Sequence, residues 1–436
     1  MRQTFNFDKI KEIAKVLSFS SFFLGLTYLV RFLLTFALTR LLSPEEFGYY
    51  SWIMSTFMFL STLNLQGLDN YSLRKIAEFK NQPENLSNQF QLFCRETILK
   101  NSVWNLIFLT FVLYLGLKTN FFGEMSLNFI LLAILGLALP FSSLTMVNSA
   151  NLRVNEYTRV AQLGDSFIQS FSFVCMVWII YFVFQFNLTI YTVIFLSISS
   201  WVISFLFTNF FYHKYSLNGV RTSSKIDNPL EWKKESLQIM SGVFGWVLLS
   251  RSDVFILGFF VDSSELSSYF ISLRIAELML FIPTVATYIW SGRVSNLYYQ
   301  NNISETQKIL RLASRLCFTS SCAIFSVGYL FSFEILNFFG ESYAKDISIL
   351  RWSLFSYLII SSVGIVGPML LIAGQHKFFA LLQWTLGIMF MICMSLIAPI
   401  YGTKGGVILF CIFQLLVTII MVLRLKKVSR LLTSPF

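Results

Sequence analysis

Six ionisable residues of this 436-residue chain stand within long apolar runs: Arg31, Asp165, Arg251, Asp253, Arg274 and Glu277. A charged side chain near the middle of a bilayer costs about 2.5–3.5 kcal/mol on insertion scales, so each is a candidate for function. Arginine presents a planar fork of donors that matches phosphate or carboxylate. Arg31, Arg251 and Arg274 are therefore expected to line a cationic cleft for an anionic substrate, the competing reading being that Arg31 and Arg274 snorkel to the surface or bridge helices. Asp253, Glu277 and Asp165 are the candidates for ion coupling or charge pairing. Arg274 and Glu277 are spaced i, i+3 and share a helical face, whereas Arg251 and Asp253 point roughly 200° apart around their helix. Arg31 and one of Arg251 or Arg274 are thus expected to be free for a ligand. Asp69, Asn70 and Arg74, where the second run ends, are candidates for a cytoplasmic mouth, or else an interfacial cap with solvated charges.

The elements that must position these groups are membrane helices. The chain is 56% hydrophobic and 13% charged, against about 45–50% and about 25% in soluble domains. Twelve apolar runs, from Leu17–Leu38 to Gly405–Leu423, have the roughly 20-residue length of a span. The first contains Arg31 and lacks a small-residue cleavage site, so it reads as a retained helix rather than a signal peptide. With the N-terminus in the cytoplasm, 25 of the 33 Lys and Arg fall on inner segments and only Arg40, Lys118, Lys345, Arg351 and Lys404 on outer ones. The net charge of +11 is then topology rather than a nucleic-acid patch, and both termini are expected in the cytoplasm. Cys94 lies on the inner side and the other five cysteines lie in spans, so no disulfide framework is expected. His213 and His376 have no ligand-spaced neighbours, and no metal or other cofactor is expected. Trp52, Trp104, Trp232, Trp290 and Trp352 read as interfacial anchors.

A shift of 220 residues lays Arg31 on Arg251, Ser43 on Ser263, Glu45 on Glu265 and Tyr49 on Tyr269 without a gap. The fold class expected is all-α, about twelve helices in two six-helix halves related by a pseudo-two-fold axis along the membrane normal, around a central cleft. The halves run over residues 1–214 and 236–436, joined by a basic cytoplasmic linker at 215–235. Pro140, Pro283, Pro368 and Pro399 interrupt spans and are expected to kink them. Outer connections are too short for a catalytic domain, and no phosphate-cradling G-x-x-x-x-G-K-[ST] occurs. A transporter remains. A membrane-embedded glycosyl-transfer enzyme would need an outer acid pair, for which Glu45 and Glu46 are the nearest residues, yet these read as the first turn of helix 2. An ion-coupled multidrug exporter would need an essential acid in the first half, where Asp165 is the one intramembrane candidate.

Several short motifs carry a resemblance. Arg40-Leu41-Leu42-Ser43-Pro44-Glu45-Glu46-Phe47-Gly48-Tyr49-Tyr50 resembles the first outer turn of polysaccharide-biosynthesis transporters, and Gly67-Leu68-Asp69-Asn70 with Leu73-Arg74 resembles the end of their second helix. Asn151-Leu152-Arg153, Asp253, Tyr269 with Arg274-Ile275-Ala276, Phe339-Gly340-Glu341-Ser342-Tyr343 and Tyr401-Gly402-Thr403-Lys404-Gly405-Gly406 follow in that family's order. In this order and in a twelve-span setting they resemble the Wzx-type O-antigen or capsule repeat-unit flippases of the multidrug/oligosaccharidyl-lipid/polysaccharide exporter superfamily. The resemblance implies alternating-access movement of an undecaprenyl-diphosphate-linked oligosaccharide across a bacterial inner membrane. It also implies a lipid-bilayer setting, a polysaccharide polymerase and a chain-length regulator downstream, and coupling to protons, sodium or the membrane potential as the energy options.

Overall fold

The computed structural model describes residues 7–79, 84–119, 125–216, 229–429 and 431. Residues 217–228 of the expected linker lie outside the described residues. The chain opens with α1 (Phe7–Leu41), α2 (Pro44–Leu65), α3 (Leu68–Phe79), α4 (Glu84–Thr119), α5 (Ser126–Leu135) and α6 (Leu139–Val154). Next come α7 (Thr158–Gln162), α8 (Gln169–Phe182), α9 (Ile190–Ser216), α10 (Pro229–Leu257), α11 (Ser263–Glu277) and α12 (Phe281–Tyr299). The last are α13 (Ile303–Leu330), α14 (Ser332–Phe339), α15 (Ile347–Ser362), α16 (Val366–Ile372) and α17 (His376–Ser429). No strand occurs among the described residues.

Nine of these helical stretches are long and apolar enough to cross a membrane, ten when the bent pair α7–α8 counts as one span. Two more arise from α2 and α17. The 22 residues of α2 reach about 33 Å, and its mixed Ser, Thr and Asn content reflects burial against other helices rather than against lipid. The 54 residues of α17 would run about 80 Å if straight, far beyond a bilayer. Gly402 breaks it at φ 54°, ψ −144°, a conformation open to glycine. Beyond that break the chain doubles back, because the rings of Phe390 and Phe413 lie 5.3 Å apart. Twelve crossings result.

Three prolines act where chemistry requires. A proline ring collides with the carbonyl four residues earlier. Four before Pro140 is Gly136, which starts the 3-10 turn Gly136–Ala138. Four before Pro283 is Met279, in the 3-10 turn Leu278–Leu280. Four before Pro368 is Gly364, which takes φ +61° between α15 and α16. The 220-residue repeat appears in the helix boundaries too: α4 shifted by 220 covers residues 304–339, the stretch occupied by α13 and α14.

The start of α2 has a capping box, with the Ser43 hydroxyl accepting from Glu46 N and Glu46 accepting from Ser43 N. Glu46 also accepts from Ile190 N at 3.3 Å, so these acids organise helix ends. The end of α1 and the start of α2 pack against α14 and α11. Gly48 lies against the Ser263 carbonyl so closely that any side chain there would overlap it. Arg40 donates to the Phe338 carbonyl at 2.6 and 3.1 Å, and Phe36 stacks on Phe338 at 4.4 Å. Trp52 and Trp232 depart from the anchor expectation. Trp52 is wholly buried and donates to the Phe255 carbonyl at 3.0 Å, bridging α2 and α10; Trp232 packs among Phe79, Phe90 and Phe93. Flat aromatic rings with one donor suit a tight interhelical seam as well as a headgroup layer, and position along a span does not distinguish the two.

Candidate functional site

Glu277 is the hub of the intramembrane charges. It is the last residue of α11, directly before the proline-induced 3-10 turn. Its Oε1 accepts from Arg251 Nη2 at 2.7 Å and its Oε2 from Arg274 Nη1 at 2.8 Å. The side chains of Arg251, Arg274 and Glu277 are 14%, 28% and 20% exposed, so the cluster is accessible without being solvated. Arg274 also lies over the Phe270 ring, 4.6 Å from its centroid. The i, i+3 pair thus forms as its spacing predicts, but the expectation that one of Arg251 or Arg274 is free does not hold. An ionised carboxylate has two oxygens with about four acceptor sites, and tertiary packing delivers a guanidinium to each oxygen.

Arg31 reaches the same region from α1. Its Nε approaches Ser170 Oγ at 3.4 Å, and Ser170 donates to Gln169 Oε1 at 3.2 Å. Gln169 Nε2 in turn donates to Ser200 Oγ at 3.1 Å, tying α1, α8 and α9 into one polar chain. Arg31 is exposed and within electrostatic reach of Arg274, Glu277 and Arg251. Three guanidiniums therefore meet one carboxylate, and the cluster keeps an excess of positive charge. Tyr28 and Tyr357 stand beside it, each within electrostatic reach of Glu277 and Arg251.

Asp253 is held separately. It is 1% exposed, accepting from the Tyr269 hydroxyl at 2.7 Å and from Val254 N at 2.8 Å. Asp165 lies in the π-helical turn Leu163–Ile168 and forms an ion pair with Arg153; π-turns often mark functional positions in helices.

A cavity of about 270 Å³ is lined by Arg31, Asp69, Asn70, Leu73, Arg153 and Asp165. Asp69 and Asn70 begin α3 rather than end α2, and the Asn70 amide donates to Asp69 Oδ2 at 3.0 Å. Arg74 parts company with them. It pairs with Glu78 at 3.0 Å and is 64% exposed. Burial would raise the Glu78 carboxyl, but Lys75 and Arg74 outweigh it and hold it below the usual value. Ser170, Gln169, Tyr28 and Tyr357 were not singled out from the sequence, because serine and tyrosine are frequent in membrane helices and nothing in their spacing marks them.

The sequence model described as "Polysaccharide biosynthesis protein" matches residues 7–292. No curated protein matches the chain in sequence at a significant level. Among solved structures, the lipid II flippase MurJ in an inward closed conformation is 17% identical, with 94% of this chain and 87% of that chain covered and a TM-score of 0.72. An inward-facing multidrug resistance MATE family transporter of the MOP superfamily is 14% identical, with 93% and 96% covered and a TM-score of 0.66. A MOP superfamily transporter from Pyrococcus furiosus, described as having a binding pocket of reverse polarity, is 16% identical, with 95% and 94% covered and a TM-score of 0.61. At such identities the likeness is one of fold. It is an all-helical fold among the described residues.

Proposed function

The chain belongs to the polysaccharide biosynthesis protein family, and we propose that it is a flippase. Its cargo on this reading is a polyprenyl-diphosphate-linked oligosaccharide, an undecaprenyl carrier in bacteria, moved from the cytoplasmic to the outer leaflet of the inner membrane for O-antigen or capsule assembly. The observation that carries the reading is the meeting of Arg31, Arg251 and Arg274, from both halves, around a single carboxylate. A diphosphate brings the opposite charge and the oxygen geometry that guanidinium forks bind.

The helix packing supports a direction of access. Outer ends are sealed through Gly48 with Ser263 and Arg40 with Phe338, while the cavity at Arg31 extends to Asp69 and Asn70 at the inner ends. A headgroup would enter from the cytoplasm, meet Arg31 and pass to Arg251 and Arg274, its prenyl tail staying in lipid. Rocking of residues 1–214 against 236–436 would then expose it outside, where a polysaccharide polymerase and a chain-length regulator would take it. Both termini would lie in the cytoplasm. An anion leaving a negative-inside cell gains about 2.3 kcal/mol per charge at 100 mV, so the membrane potential favours export, and proton or sodium coupling through Asp253, Glu277 or Asp165 would add to that drive.

Proteoliposomes carrying labelled undecaprenyl-diphosphate oligosaccharide in the inner leaflet test the reading. Wild type is expected to expose the label outside, and Arg31→Ala to slow exposure at least about tenfold, the loss of one charge-assisted contact. No exposure by wild type, together with efflux of an organic cation under a sodium or proton gradient, would replace the flippase with a multidrug exporter.

A further inference from the structure

Glu277 does more in this arrangement than balance charge. It accepts from both arginines in the same way that two oxygens of a bound phosphate would, at 2.7 and 2.8 Å. It also terminates α11 immediately before a 3-10 turn, with Pro283 two residues into α12. Arg31 stands on the other side of the cluster, bound to a neutral hydroxyl rather than to this carboxylate. Each arginine gives Glu277 one of its five N–H donors, and an anion approaching the same side of both guanidiniums competes with the carboxylate for those donors and for their charge.

We propose that Glu277 is a resident stand-in for the substrate's diphosphate: it occupies Arg251 and Arg274 when the cleft is empty, is displaced when a diphosphate arrives, and retakes the arginines to drive release. This rests on the flippase reading for the identity of the anion. Arg31, outside the Glu277 pairs, makes the first contact with the incoming diphosphate. Arg251 and Arg274 follow as Glu277 swings away. The carboxylate keeps two guanidiniums neutralised and positioned in the membrane, and it limits how tightly cargo is held, as a carrier that must let go requires.

The test is binding of inorganic pyrophosphate to the full-length, detergent-purified protein by calorimetry, in wild type, Glu277→Gln and Glu277→Asp. Removing the competitor in Glu277→Gln should tighten binding at least about tenfold, the scale of one charge-assisted hydrogen bond no longer displaced. Glu277→Asp withdraws the carboxylate by one methylene while keeping its charge, and should tighten binding by a few-fold; it keeps the proposal testable if the Gln variant does not fold. A residue that merely braced the arginines would weaken binding when altered. Weaker or equal binding in the variants, with pyrophosphate bound by wild type, overturns the stand-in and leaves the cationic site standing. If neither wild type nor either variant binds pyrophosphate, the stand-in and the anion-binding site fail together.

Discussion

Arg31 on α1 and Arg251 on α10 stand 220 residues apart, a spacing the sequence repeats at Ser43 and Ser263, yet live in different electrostatic settings. Arg251 is 14% exposed and shares Glu277 with Arg274. Arg31 is exposed, approaches the Ser170 hydroxyl at 3.4 Å and lines the cavity that runs to Asp69 and Asn70. The cause lies in their neighbours. The first-half counterparts of Glu277 and Arg274 are Phe57 and Met54, and Phe57 is buried in the core. The acid that holds Arg251 has no counterpart 220 residues earlier, beside Arg31. One arginine is anchored and its counterpart is accessible, an asymmetry that suits a carrier whose cargo must be met before it is gripped.

The largest effect that would break this contrast concerns stability. Arg251→Ala strips Glu277 of one of its two cations and should cost about 3 kcal/mol, as for removal of one partner of a buried pair, whereas Arg31→Ala should cost less than about 1 kcal/mol. Thermal unfolding in detergent measures both. Equal losses would mean that the two arginines are equally anchored. Smaller in effect, Ser170→Asp would give Arg31 a carboxylate of its own and make it resemble Arg251. Transport in proteoliposomes should then fall by a few-fold, roughly the worth of a partly exposed ion pair; undiminished transport would argue that Arg31 need not be accessible.

The smallest effect is expected far from both arginines. Asp346 and Lys404 pair at 2.9 Å, joining the start of α15 to the second arm of α17. Burial would raise the Asp346 carboxyl, but hydrogen bonding from Ser348 and the Lys404 ammonium hold it below its usual value; hydrogen bonding to Asp346 raises Lys404. A depressed carboxyl contributes above its unfolded pKa of about 3.9 and is lost as pH falls through the folded value; a raised amine contributes below about 10.4 and is lost as pH rises through its folded value. The pair is therefore intact from about pH 5 to 9. Lys404→Met should leave the melting temperature flat across that window and nearly unchanged, since exposed pairs contribute little. A marked drop at pH 7 would assign that outer contact a role in holding the cleft shut.

Much of this was legible in the chain. Apolar runs of span length, Glu45 and Glu46 in the first turn of a helix, and Pro140, Pro283 and Pro368 as breaks all act through neighbours within a few residues, where covalent geometry leaves few alternatives. The i, i+3 pair Arg274–Glu277 is legible for the same reason. Other features were not. Arg251 joins Glu277 across 26 positions and Arg31 meets Ser170 across 139, contacts set by how α1, α8, α10 and α11 pack and not by any local spacing. Trp52 and Arg74 show the same limit: the one sits at a depth that suits an anchor yet packs inside, and the other follows Asp69 and Asn70 in sequence yet turns to Glu78. The sequence by itself determined which charges lie within apolar helices, because that depends on composition along one helix. Only the tertiary structure decided which of them neutralise one another and which remains open to a ligand, because that depends on side chains brought together from helices far apart in the chain.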